Sequence, residues 1–276
     1  MFENILGHEK QKDFLKSNIE SNNISHSYLF VGKNGIGKKS LALEFAKQIL
    51  NTNNLNNCPD FKIIEKKKDK KNILVEQIRE DILKDVYIAP ISSNKKVYIV
   101  NDFEELNLSS QNTLLKTLEE PPKFIVIILI SSKIDNILPT IISRVNIVAF
   151  NKINNELLKE YIGNDIKEDI LNFIDGSIGF YNELLEEDNF NKLSDINNLY
   201  KSIEEKNYLN CFKIQENIDF NKYYNFNYLI YLMNKNNKNL CVNILQKSYI
   251  RLQNNGNYDI VIDNMILKCI DSISEN

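Results

Sequence analysis

The chain has 276 residues, 43% of them hydrophobic and 26% charged, with a formal net charge of -3. That length suits about two domains, and the balance is that of an ordinary globular protein. The slight acidic excess excludes a protein that grips DNA alone through a broad basic face, and no apolar run nears the roughly 18 residues of a bilayer span.

The opening MFENILGHEK lacks the basic start and apolar core of a secretory leader, so a cytoplasmic location without a membrane is expected. Residues 8–22 place Phe14, Leu15 and Ile19 at helical spacing, and SYLFV (27–31) reads as a strand. The glycine-rich stretch VGKNGIGKKS (31–40) follows and opens an amphipathic helix over 38–50. FKIIE (61–65) reads as a strand, the basic run EKKKDKK (65–71) as a solvated loop, and VEQIREDILKDVYI (75–88) as a helix. KKVYIV (95–100) is a buried strand. The segment 107–122 is a helix capped by Asn107 and stopped by Pro121–Pro122. FIVIILI (124–130) is nearly all apolar, as a strand covered on both faces should be, and NIVAF (146–150) is one more strand. Strands alternating with helices predict a doubly wound parallel α/β sheet over about the first 150 residues.

Beyond 150 the strand signal fades. Three short helices are expected between 153 and 187, and a tyrosine-rich all-helical region from about 195, its aromatic stripes forming core. The Asn-rich stretches 51–57 and 234–239 read as loops. Cys58, Cys211, Cys241 and Cys269 lack the C-x-x-C spacing of a zinc site, so free thiols are expected.

The stretch 31–40 is nearly a phosphate-binding loop, G-x-x-x-x-G-K-[ST]. Gly32, Gly35 and Gly37 let backbone N–H groups turn toward phosphate oxygens, and Lys38 adds a point charge. The position that should hold magnesium through a hydroxyl carries Lys39, and Ser40 comes one residue late, about 100° further round the helix. A second strand should end in an Asp-Glu pair but ends in Asn101-Asp102. If the register slips by one, Asp102 becomes the metal ligand and Phe103 stands at the base position. Either way one member of the pair is lost.

The string NTLLKTLEEPP (112–122), an apolar strand and then LPTIISRV (138–145) resembles the clamp-loader branch of the AAA+ ATPases, and within it the delta-prime subunits of bacterial DNA polymerase III. HSYLFVGKNGIGKKSLALEFAK (26–47), CPDFKII (58–64) and ILVEQIRE (73–80) fit the same family, and the likeness covers about residues 1–185. It implies an AAA+ nucleotide-binding-like core over 1–150, a small helical lid over 151–192 and an all-α collar, an oligomerisation domain, over 193–276. It also implies a non-motor, stator role in an open hetero-pentameric ring with gamma/tau motor subunits and a delta subunit. Such a ring places the sliding clamp on primer-template DNA.

The family's Ser-Arg-Cys appears here as Ser143-Arg144-Val145, so the resemblance makes Arg144 an arginine finger acting in trans, beside Ser143. Only Arg79, Arg144 and Arg251 are arginines, so one in a motif position is less readily an interchangeable surface charge. The Pro139-started turn leaving strand 124–130 puts it, on this reading, at the sheet edge that carries the reactive loops. Gly179, in DGSIGF (175–180), stands where motor subunits keep a phosphate-sensing arginine. The four-cysteine zinc knuckle of many relatives is reduced to Cys58, so no zinc is expected. ATP or ADP could bind without hydrolysis, but no cofactor is required. The rival readings are a working AAA+ ATPase, either a motor subunit or a Holliday-junction helicase, and a regulatory module that senses nucleotide.

Overall fold

The computed structural model describes residues 1–65, 75–163, 166–186 and 189–274. They form two compact units, Met1–Phe180 and Tyr181–Asn276. The expected lid segment 151–192 is therefore shared between them.

The first unit is built on five parallel strands, β1 (Ser27–Val31), β2 (Phe61–Ile64), β3 (Lys96–Val100), β4 (Ile125–Ser131) and β5 (Asn146–Ala149), in the order β2-β3-β4-β1-β5. Side chains alternate across each strand, which sorts the apolar residues into two cores. Tyr28, Phe30, Val97, Ile99, Val126 and Ile128 face one layer, with Leu15 of α1 (Glu9–Glu20) and Leu41 and Phe45 of α2 (Lys38–Leu50). Leu29, Tyr98, Val100, Ile127 and Leu129 face the other. There they meet Ile78 of α3 (Val75–Ile78), Leu114 and Leu118 of α4 (Leu108–Glu119) and Ile141 of α5 (Pro139–Ile142). β4 is buried along its whole length, as its unbroken apolar run requires. This is the expected α/β P-loop architecture of the AAA+ type.

Three short helices follow, α6 (Asn155–Ile162), α7 (Glu168–Ile174) and α8 (Ile178–Leu185), the last running from the first unit into the second. The second unit continues with α9 (Asn189–Glu204), α10 (Tyr208–Gln215), α11 (Tyr223–Lys235), α12 (Asn239–Gln253) and α13 (Tyr258–Ser274). Its aromatic stripes are core: Phe220, Phe226 and Tyr228 are buried, and the Tyr228 hydroxyl accepts from Asn197 Nδ2 at 2.9 Å.

Two expectations change. The helix foreseen over 75–88 is α-helical only to Ile78, then widens into a π turn over Arg79–Leu83, where Lys84 N–H reaches Arg79 O at 3.1 Å. Ile78, Ile82 and Val86 are all buried, so the wider turn keeps the same apolar face inward. The Asn-rich loop 234–239 shrinks to 236–238, because α11 runs on to Lys235 and Asn237 turns the chain with φ 57°, which Asn tolerates. Of the basic run 65–71, residues 66–71 lie outside the described residues. Among the described residues no helix is long and apolar enough to cross a membrane.

Candidate functional site

β1 delivers the chain into the glycine loop, and α2 leaves it. Gly37 is the N-cap of α2 at φ 101°. Gly32 has no room for a side chain, since a Cβ there would stand 2.5 Å from Phe150 O. Lys38 is 5% exposed and turns back on its own loop. Its ammonium donates to Gly32 O and, at 2.7 Å, to Lys33 O. Burial pulls its pKa down to about 8, against the opposing charges of Glu104 and Asp102. Lys39 points elsewhere and pairs with Glu65, just past β2, at 2.6 Å, while Ser40 is exposed.

Asn101 directly follows β3, and its Nδ2 donates to Asp102 Oδ2 at 3.0 Å. Asp102 sits in the left-handed region at φ 51°. Burial and the nearby Glu104, Glu105 and Glu65 raise its pKa, with Lys38 opposing. Phe103 is wholly buried in the core, so it is not presented at a base position. The carboxylate best held near Lys38 is one the sequence reading missed. Glu104 Oε1 accepts from the Ser132 amide at 2.8 Å and from the Ser132 hydroxyl. Burial works against that charge, but the Ser132 donors outweigh it and keep Glu104 below its ordinary pKa.

These residues do not fit a magnesium–nucleotide complex. The hydroxyl position carries a lysine already paired with Glu65, and the second-strand position carries an amide turned onto its neighbour. Among the described residues no group of three or more His, Cys, Asp and Glu is arranged to hold a metal.

Arg144 lies at the other end of the sheet. Its carbonyl accepts from the hydroxyl of Ser27, the first residue of β1, at 2.8 Å, whereas the glycine loop leaves the last. Five strand residues put the two ends about 15 Å apart. The expectation that Arg144 shares the edge of the reactive loops is therefore corrected: the segment 132–144, with α5 in it, returns to the starting edge of the sheet, and Arg144 stands two residues before β5. The Arg144 side chain is 34% exposed, in a groove of about 700 Å³ shared with Ser25, His26 and Glu119. Nη1 donates to Thr140 O at 2.8 Å and Ser143 Oγ at 3.0 Å, and Nη2 pairs with Glu119 Oε1 at 2.8 Å. Among the described residues the Nε–H edge of the fork has no partner. Ser143 thus braces Arg144 directly, and Glu119, also missed in the sequence, holds it from the end of α4.

A family model described as DNA polymerase III, delta subunit, matches residues 7–154, more than half of the chain. The chain belongs to that family. Its relatives include the DNA polymerase III subunit gamma of Buchnera aphidicola, 33% identical over 156 residues, 52% of this chain and 43% of the relative. They also include the delta-prime subunit of Bacillus subtilis, 28% identical over 172 residues, 56% of this chain and 50% of the relative. The chain thus matches half or less of these relatives' lengths. A crystal structure of a DNA polymerase III gamma subunit-related protein from Thermotoga maritima superimposes with a TM-score of 0.64 at 19% identity, over 94% of this chain and 99% of that one. That likeness establishes a shared fold.

Proposed function

We propose that this chain is a non-motor, stator subunit of a DNA polymerase III clamp loader. It sits in a hetero-pentameric ring with gamma/tau motor subunits and a delta subunit, and the ring places the sliding clamp on primed DNA. The chain does not hydrolyse nucleotide. It lends Arg144 to the nucleotide held by the adjoining motor subunit, and it carries no zinc.

The observation that carries this reading is the separation of Arg144 from its own glycine loop by the length of the sheet. An arginine at that edge can reach a phosphate only in another subunit. Its Nε–H edge, without a partner among the described residues, is suited to a phosphoryl oxygen, since a guanidinium is planar and permanently charged. The working-ATPase reading asks Lys39, Asn101 and Gly179 all to be tolerated.

The test is the reconstituted ring. Arg144→Ala should assemble normally yet slow hydrolysis at the served site about 10³-fold, the lower range for an arginine finger, and slow clamp loading with it. Arg144→Lys should rescue little. Normal loading by the alanine variant in an intact ring would make Arg144 an ordinary surface cation. Elemental analysis checks the metal, and one zinc per chain would contradict its exclusion.

A further inference from the structure

We propose that Glu119 is a positioning residue that aims Arg144 at the neighbour's nucleotide, a role that rests on Arg144 acting in trans. The backbone of Arg144 is already anchored, since its carbonyl accepts from Ser27 Oγ at 2.8 Å. What remains to be fixed is the tip of a long side chain. Thr140 O and Ser143 Oγ both bond to Nη1, but they lie four and one residues before Arg144, on the same turn of chain. They orient the fork only relative to that turn. Among the described residues only Glu119 ties the fork to another element, through Oε1 to Nη2 at 2.8 Å.

That element is firmly seated. Glu119 is the last residue of α4, whose Leu114 and Leu118 are buried in the core, and Pro121 and Pro122 stop the helix just beyond. The guanidinium is therefore restrained from two sides, by its own turn and by α4. Both Nη atoms are engaged, and Nε–H is left for a phosphoryl oxygen. The pair is within reach of another subunit, since the two side chains are 34% and 48% exposed. Its worth lies in aim and not in folding. A partly exposed ion pair adds little to stability, and a carboxylate in the last turn of a helix opposes the macrodipole. Glu119→Ala should therefore leave the urea midpoint of the chain nearly unchanged.

The experiment has two arms. In the full chain alone, arginine-selective 15N labelling reports the Nε–H groups, and Arg144→Ala identifies the Arg144 signal beside those of Arg79 and Arg251. Its heteronuclear NOE should be high in the wild type, fall in Glu119→Ala and stay high in Glu119→Gln, whose amide oxygen accepts the same bond. In the reconstituted ring, Glu119→Ala should lower kcat at the served site by about tenfold to 10²-fold, the scale of a misplaced reacting group. KM for ATP should not change, because the arginine acts on the transferred phosphate and not on ground-state binding. Glu119→Gln should keep most of the rate. An Arg144 NOE equal in the wild type and Glu119→Ala would overturn the proposal. So would wild-type kcat for Glu119→Ala in a ring that Arg144→Ala slows, an outcome that leaves the trans-acting arginine standing. A ring that Arg144→Ala does not slow overturns the trans-acting role itself, and the positioning role with it.

Discussion

Lys96 carries its ammonium into the sheet at 2% exposure, and Asp85 answers it at 2.8 Å. The same carboxylate accepts from the Tyr98 hydroxyl at 2.7 Å and pairs with Lys62 at 3.3 Å. Burial alone would raise the pKa of Asp85, but the donors of Lys96, Tyr98 and Lys62 outweigh it and hold the pKa below the ordinary value. Removing one partner of a buried pair leaves the other charge uncompensated. Asp85→Ala should therefore cost about 3–5 kcal/mol in urea unfolding at pH 7. The sign of the pH dependence follows from the depressed folded pKa. The contribution is present above the unfolded value near 3.9 and is lost as pH falls through the folded one. The gap between wild type and variant should close toward pH 2, and a gap independent of pH would assign the loss to packing. None of this is legible in the sequence, where Asp85 is one acid among many. Lys39–Glu65 and Glu104–Ser132 escaped for the same reason, since a polar pair so far apart in the chain leaves no periodic trace. The glycine loop was legible because its spacing is itself the chemistry.

Helix α4 shows how elements hold one another. Asn107 caps it by accepting from the Ser110 amide at 2.8 Å, as the Asn before an apolar-periodic run suggests. One turn on, Gln111 is 1% exposed and ties three segments together. Its Nε2 donates to Leu106 O at 3.0 Å and Asn136 O at 2.9 Å, and its Oε1 accepts from Leu138 N–H at 2.9 Å. Leu138 is the N-cap of α5, the helix that leads into Ser143 and Arg144. Gln111→Leu fills the space but leaves those three backbone groups without their partner. It should lower the unfolding free energy by about 2–4 kcal/mol, whereas Asn107→Ala should cost about 1 kcal/mol. Chemical denaturation of the two variants checks the ranking, and equal costs would mean that water replaces Gln111. At this scale strands were legible, because period-two alternation and a continuous apolar run have no helical counterpart. The π turn over Arg79–Leu83 was not, because α and π turns present the same buried Ile78, Ile82 and Val86. The direction of α5 was equally hidden: Pro139 marks its start but not the edge to which it returns.

Across the whole first unit, the two ends of one parallel sheet have different fates. The ends of β1 and β3 carry the glycine loop, where Lys38 bonds to loop carbonyls and Lys39 pairs with Glu65. Two residues before β5 stands an arginine whose Nη atoms are braced by Thr140, Ser143 and Glu119. Hydrolysis in a P-loop fold needs both kinds of edge at one nucleotide, and on the proposed function this chain offers only the second. The isolated protein should therefore show no MgATP turnover above background in a phosphate-release assay. Restoring the two missing ligands with Lys39→Ser and Asn101→Asp should not rescue it. No neighbour would supply an arginine, which alone contributes roughly 10³–10⁵ in rate. Steady turnover by the isolated wild type, abolished by Lys38→Ala, would show that the loop opens and works unaided. The division of labour between the two edges would then fail.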